Sequence, residues 1–370
     1  MDRSFRRGVI LSEAEPQAKR SRRICLTALM TAPLGRMARA NAPGKSEQTH
    51  MPTHILALLA GALIDLIVGD PEWFYHPVRL IGKYISFAEK RAKRDNPASW
   101  TLRRRAVLVA VSTVLLTAGV TALVLYLLGL LGFWPRFIGM ALISWMCLSA
   151  RNLADEAEGV RKALEQSLEA GRTRVGRIVG RDTANLSRRE ILCATIETVA
   201  ENLTDGVISP MLYLALGGPV LGMAFKAAST LDSMIGYLDE KYRDVGWFAA
   251  KADDVWNWLP ARITALLMCL AAFPLGLEGK RAFAVVKRDH ANHLSPNCAW
   301  SESAAAGALG VQLGGDHEYF GKVVHKPTIG DDTRPPEGED IRRMNRLMFA
   351  TAGLMLALIA CIAGMRYLWP

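Results

Sequence analysis

The sequence predicts an all-α fold: a polytopic membrane helical bundle with interfacial helices and long polar loops. Composition is the first reason. Of the 370 residues 51% are hydrophobic while 22% are still charged, a mixture that suits membrane spans joined by sizeable polar segments. The second is a set of long uncharged runs, the clearest being Ala106–Pro135, directly after Arg103-Arg104-Arg105. The third is the block Arg181–Arg262, where dense polar clusters flank an uncharged run, Gly206–Phe225. Carboxylates at the entrance of an apolar span and a lysine at its exit are costly beside lipid. They mark a bundle interior or a water-filled site.

Charge and cysteine usage exclude several classes. The net charge is +10, but +6 of it belongs to residues 1–50, so it argues for basic loop ends at a lipid bilayer and not for a nucleic-acid partner. The six cysteines (Cys25, Cys147, Cys193, Cys269, Cys298, Cys361) form no CxxC pair, which argues against a disulfide framework or a zinc site. Cys147, Cys269 and Cys361 lie in apolar runs and are expected to be small buried hydrophobes.

In chain order, residues 1–50 lack hydrophobic periodicity, and Ile24–Leu34 is too interrupted for a signal-peptide core. They are expected to be a disordered or mis-annotated extension ahead of a start at Met51. Residues 51–370 then form a single membrane-embedded domain. Ile55–Val68 is apolar except for Asp65 and barely reaches across a bilayer core of roughly 30 Å. Gly69-Asp70-Pro71 stops it, and an amphipathic interfacial helix starts at His76-Pro77. Ala106–Pro135 and Phe137–Ala150 read as a helical hairpin, with the triple arginine cytoplasmic. Arg151–Asp205 reads as a helical cytoplasmic loop. Gly206–Phe225 is interrupted at Pro210 and Gly217-Gly218-Pro219, which is tolerated at membrane depth only where protein or a cavity covers the backbone. Ile263–Leu277 is another apolar segment, Glu278–Arg346 a long polar region, and Leu347–Met365 a last span. That makes four clear membrane segments and two short ones, with no internal repeat of the kind seen in inverted-repeat transporters.

Three polar constellations carry candidate chemistry. Glu190, Cys193, Glu197 and Glu201 share one helix face, which continues into Asn202 and Asp205. Two carboxylates four residues apart repel unless a cation lies between them, and hard oxygen ligands suit Mg²⁺; a solvated face is the plain alternative. Lys226, Ser229, Thr230, Asp232 and Ser233 form a set suited to a phosphate and its metal, although snorkelling also explains a lysine at a span end. Asp253, Asp254 and Asn257 are the third set, bracketed by tryptophans. His293, in the turn His293-Leu294-Ser295-Pro296-Asn297, is more simply structural. No P-loop, dinucleotide fingerprint, HExxH or GxSxG occurs.

The segments GDPEWFYHPVRLIGK, VGRDTANLSRREILCATIETVAENLTDGVISPMLY, KAASTLDSMIGYLDEKYRDVGWFAAKADDVWNWLPAR, HLSPNCAWSESAAAGALGVQLGG and KPTIGD together resemble the adenosylcobinamide-phosphate synthase family. This is a family of integral membrane ligases of cobalamin biosynthesis. The resemblance runs from about residue 55 to 365, with one departure at Ser229, where asparagine is expected.

The resemblance implies an ATP-dependent amide ligation in the cell (inner) membrane, and the arginine bias favours a site on the cytoplasmic side. Adenosylcobyric acid supplies a propionate and (R)-1-amino-2-propanol, or its O-phosphate, the amine. A carboxylate is a poor electrophile until phosphorylated, so ATP and Mg²⁺ are the expected cofactors, and catalysis is mostly positioning and charge neutralisation. On that reading Glu197, Glu201 and Asp205 hold the metal, with Asp232 or Asp253 as further ligands. Arg181 and Lys226 neutralise phosphates beside Asn202 and Thr230, and His293 accepts the amine proton. The competing classes are a corrinoid transporter or binding protein, and a scaffold for other corrin-pathway enzymes. The first predicts charges at mid-span, whereas these gather at span ends. The second leaves the carboxylates unexplained.

Overall fold

The computed structural model describes residues 51–368 other than Glu72, Phe74, Asn96, residues 238–241, Phe320, Gly321, His325 and Lys326. The expectation for residues 1–50 lies outside the described residues. The described chain is an all-α bundle, as the sequence predicts. Its first four helices are α1 (Thr53–Val68), α2 (Val78–Ala92), α3 (Ser99–Leu130) and α4 (Phe133–Cys147). The polar segment after them holds α5 (Ala150–Gln166) and α6 (Leu168–Val175). The central block is α7 (Arg188–Leu203), a π-turn (Thr204–Ile208), α8 (Ser209–Ile235), α9 (Trp247–Trp256) and α10 (Trp258–Ala272). Then come α11 (Gly279–Asp289), α12 (Cys298–Leu309) and α13 (Gly338–Leu368). Between the last two, β1 (Leu313–Gly314) pairs with β4 (Thr328–Ile329), and β2 (His317–Tyr319) with β3 (Lys322–Val324), both antiparallel.

Four helical stretches are long and apolar enough to cross a membrane: Ser99–Leu130, Phe133–Gln166, Arg188–Ile235 and Gly338–Met365. The α9–α10 pair, bent by 46°, makes a fifth if it counts as one span. The α3–α4 hairpin is as expected, and its tight connection passes through Gly132 at φ 117°, a conformation that favours glycine. Arg103–Arg105 lie within α3 itself. Arg103 Nε donates to Asp244 at 2.7 Å, and Arg105 Nη1 donates to the carbonyls of Ala92 and Arg94.

Helix breaks inside the bundle decide how the remaining pieces pack. Gly217-Gly218 interrupts α8, with Gly218 at φ +65°, and Pro219 has no N–H to give the Ala215 carbonyl four residues back. His54 Nε2 lies 3.1 Å from that carbonyl oxygen and fills the gap. Between α4 and α5 the chain is extended at Leu148. Asp65, which looks like a flaw in the apolar α1, accepts the N–H of Ala150 at 3.1 Å and of Arg151 at 3.4 Å, starting α5. Ser149 N donates to Gly206 O at 3.1 Å and ties this break to the π-turn. A Cβ on Gly61 would stand 2.7 Å from the Trp145 nitrogen, so α1 and α4 meet backbone to backbone.

Two expectations need correction. The first half of the Gly/Ala-rich piece Ala304–Gly315, read as part of a polar loop, belongs to α12, whose residues from Ala299 to Leu309 are buried apart from Trp300. Small side chains let α11 approach there: a Cβ on Gly307 would fall 2.6 Å from Ala282 Cα. Cys147 and Cys269 are buried as expected, whereas Cys361 is exposed, on a face of α13 that protein does not cover.

His76 joins α2 to the α4–α5 break. Its Nδ1 accepts the Val78 N–H at 3.2 Å and its Nε2 donates to the Met146 carbonyl at 3.0 Å. Burial keeps the ring below its ordinary pKa. The folded state therefore resists a proton that the unfolded chain accepts, so stability is full above the usual histidine pKa of about 6.5 and falls below it. The melting temperature in detergent should drop between pH 7.5 and 5.5, and His76→Gln should reduce that drop. An equal acid-side loss in the variant refutes this account.

Candidate functional site

The capping box at the start of α7 fixes the register of the site helix. Ser187 Oγ accepts the Glu190 N–H, and the Glu190 carboxylate accepts the Ser187 N–H at 2.7 Å. Glu190 is thereby committed to the cap and drops out of the acidic face. Two and three turns on, Glu197 and Glu201 open into a pocket of about 140 Å³ that Arg181, Asn202 and His293 also line. Five of the residues singled out in the sequence thus share one cavity, supplied by α7, the segment before it and the α11–α12 connection.

Arg181 is the cation among the described residues that line this pocket. Its side chain is only 5% exposed, and Nη2 lies 3.4 Å from Glu197 Oε2. That is an ion pair without a hydrogen bond: neither Nε nor Nη2 of Arg181 makes one. A buried guanidinium with two unbonded nitrogens is set to receive an oxyanion. Glu197 is held from the other side by the Gly314 N–H, which donates to Oε1 at 2.8 Å. Glu201 Oε1 accepts from Cys298 Sγ at 3.1 Å, and burial beside Glu201 and Glu302 pushes that thiol well above its ordinary range.

His293 lines the pocket but is not placed as the expected proton acceptor. Its Nδ1 already accepts the Ser295 N–H at 3.0 Å, so the neutral ring carries its proton on Nε2 and acts as a donor. Asn202 is exposed and donates to Thr198 O at 2.9 Å. It also borders a second cavity of about 370 Å³, lined with Ser149, Asn152, Glu156 and Arg177.

The remaining predicted residues form a neighbouring cluster. Asp205, in the π-turn, lies within electrostatic reach of Asp253, Glu201, Asp232 and Lys226. Asp253 accepts from Asn257 Nδ2 at 3.0 Å through Oδ2, while its Oδ1 is buried without a hydrogen bond. Buried Asn257 also accepts from Ser209 at 2.6 Å, at the α9–α10 bend. Lys226 Nζ donates to Cys147 O at 3.4 Å and does not line the pocket. The Thr230 hydroxyl donates to Lys226 O at 2.6 Å, so it is spent on its own helix and not offered to a phosphate.

The five proposed metal ligands do not close into one cage. Among the described residues no three His, Cys, Asp or Glu side chains form a group that could hold a metal ion. Glu197 belongs to Arg181 and Gly314, while Asp253 is bonded to Asn257 at the far bend. Sequence reasoning also missed pocket residues. Glu302 is buried and lines the cavity, as do Asn292 and the Pro327 and Ile329 wall. The one available signal was the four-residue spacing of Cys298 and Glu302, obscured by the Ala/Gly-rich run behind it.

With this geometry in place, comparison with known proteins is decisive. The model of the CobD/Cbib protein family matches residues 58–348. The chain belongs to the CobD/CbiB family. Cobalamin biosynthesis protein CobD of Pelobacter propionicus is 46% identical over 315 residues, covering 84% of this chain and 96% of that protein. Cobalamin biosynthesis protein CbiB of Salmonella typhi is 45% identical over 316 residues, covering 84% and 98%. The CobD protein of Listeria monocytogenes is 40% identical over 309 residues, covering 83% and 98%. No solved structure matches. The match spans the block Arg181–Arg262, which supplies Arg181, Glu197, Glu201 and Asn202 to the pocket.

Replacing Glu197 with Gln leaves the Arg181 guanidinium buried without a carboxylate. A loss of about 3 kcal/mol is expected, read as a lower melting temperature in detergent. Inorganic pyrophosphate should restore part of it by supplying oxyanions to Arg181. A variant as stable as the parent and indifferent to pyrophosphate removes Arg181 as an anion receptor.

Proposed function

We propose that this protein acts in cobalamin biosynthesis as an amide-forming ligase. It joins (R)-1-amino-2-propanol or its O-phosphate to the propionate of adenosylcobyric acid, at the expense of ATP, on the cytoplasmic side of the cell membrane. The observation that carries the reading is the buried Arg181 guanidinium, with two unbonded nitrogens in a pocket that also holds Glu197, Glu201 and Glu302. An anion receptor beside carboxylates suits phosphate-bearing substrates and a reaction that releases a proton. The names of the relatives support the pathway.

In the first step the propionate oxygen attacks the γ-phosphorus of ATP; the bond to the β-γ bridging oxygen breaks, and ADP leaves with an acyl phosphate formed. In the second the amine nitrogen attacks the acyl carbon, inorganic phosphate departs, and the nitrogen gives up one proton. Arg181 balances charge on the phosphoryl oxygens. His293, with its proton on Nε2, adds a hydrogen-bond donor to the same pocket. Glu302, a buried carboxylate, takes the amine proton in place of His293.

The donor set fits Mg²⁺ in its usual role. That ion is ordinarily held by one or two carboxylates together with substrate phosphates and water, so the lack of a three-residue cage among the described residues does not conflict with it. Glu201, with Asp205 nearby, would hold the ion, which would neutralise charge on the nucleotide phosphates.

The test is ligation by purified protein in nanodiscs with adenosylcobyric acid, Mg-ATP and aminopropanol phosphate, following the corrin product by mass. Product should require ATP, and Glu201→Gln and Arg181→Met should each lower kcat/KM by at least roughly a hundredfold. Corrinoid bound without any product supports a binding or transport protein instead.

A further inference from the structure

The wall of the pocket opposite α7 is the short β1–β4 pair, which has little structure of its own to keep it in place. In register, Leu313 faces Ile329 and Gly314 faces Thr328, and Gly314, Pro327 and Ile329 all line the cavity. Two residues an element this short cannot set its own position. What sets it lies at the end of α11. Asp289 is 6% exposed in its side chain, and its Oδ2 accepts the Gly330 N–H, directly after β4, at 2.8 Å.

Arg288 grips the same carboxylate with both arms of its fork. Nε donates to Oδ1 at 2.7 Å and Nη2 to Oδ2 at 2.8 Å, while Nη1 donates to Asp331 at 2.7 Å. This fork holds the Asp289 carboxyl below the usual carboxylate range, so the acceptor for Gly330 is a full anion, and hydrogen bonds to ions are the strong ones. Asn292 Nδ2 donates to Thr328 O at 3.0 Å as a second tie. Gly330 itself has φ +81°, and a Cβ there would meet Val311 O at 2.7 Å, so the chain enters this clamp by only one route.

We propose that Asp289 is a positioning residue for the pocket: through Gly330 and the β1–β4 pair it fixes the Gly314 amide that holds Glu197 against Arg181. No reacting group touches Asp289. Its effect passes along a row of hydrogen bonds, from carboxylate to Gly330, across the strand pair, and from Gly314 to Glu197. The expected consequence for turnover rests on the ligase reading, whereas the positioning itself does not.

The experiment pairs amide exchange with kinetics, on the full chain in nanodiscs. Asp289→Ala removes both acceptor oxygens, whereas Asp289→Asn keeps one for Gly330. In Asp289→Ala the Gly314 and Gly330 amides should exchange roughly tenfold faster, with α7 unchanged. The kcat/KM for aminopropanol phosphate should fall roughly tenfold while the corrinoid KM holds, and Asp289→Asn should lie between. If Asp289→Ala does not fold, Asp289→Asn, which weakens the Gly330 bond and the Arg288 fork together, is read against the parent in the same way. Unchanged exchange at Gly314 overturns the proposal. So does exchange that rises equally throughout α11 and α12, or faster exchange at Gly314 with both kinetic parameters intact. A parent protein that does not ligate at all refutes the ligase reading, and the exchange result then decides the clamp alone.

Discussion

Backbone groups set free where helices break inside the bundle must find partners within the protein, and the rest of this structure follows from that requirement. The gap between α4 and α5 shows it most fully. There Asp65 accepts two N–H groups, His76 and Lys226 donate to the carbonyls of Met146 and Cys147, and Ser149 reaches Gly206. Residues distant in sequence are thus drawn to one place by unsatisfied peptide groups. Polar side chains that look out of place in apolar helices are there because peptide groups need them. The break also brings α1, α2 and the π-turn together, which sets where α7 can lie.

The site inherits its order from this framework. Helix α7, the π-turn and α8 form one stretch from Arg188 to Ile235, and along it run Glu197, Glu201, Asp205, Lys226 and Asp232. The pocket draws on the first part of that stretch and the carboxylate cluster on the second, with Glu201 in reach of both. Arg181 stands before the capping box, so the start of α7 governs how far the guanidinium is from Glu197. Electrostatic preorganisation here comes from burial more than from numerous bonds: the Arg181 side chain is buried, and two of its nitrogens make no hydrogen bond.

The sequence made the spans and the α7 face legible because both repeat with a period that side-chain chemistry shows openly. Glu197, Glu201 and Asn202 could be placed together for that reason, and Arg181 and His293 joined them through the quoted motifs. Thr230 and Lys226 were less legible. A hydroxyl four residues after any helical carbonyl can bond back to it, and nothing in the residue type tells whether it will. The role of Asp65 was also hidden, since a cap formed 85 residues away leaves no local pattern. Glu302 escaped notice because a buried helix of alanine, serine and glycine has no amphipathic stripe to announce it. The tautomer of His293 depended on a turn hydrogen bond that composition does not encode.

The π-turn at Thr204–Ile208 has a consequence for how this chain can vary. A π-turn carries more residues per turn than the α-helices on either side, and each residue advances an α-helix by about 100°. Deleting one residue there would swing Lys226 and Asp232 about the helix axis relative to Glu201, while leaving every one of those residues in the chain. The number of residues between Glu201 and Lys226 therefore matters to the arrangement as much as which residues they are.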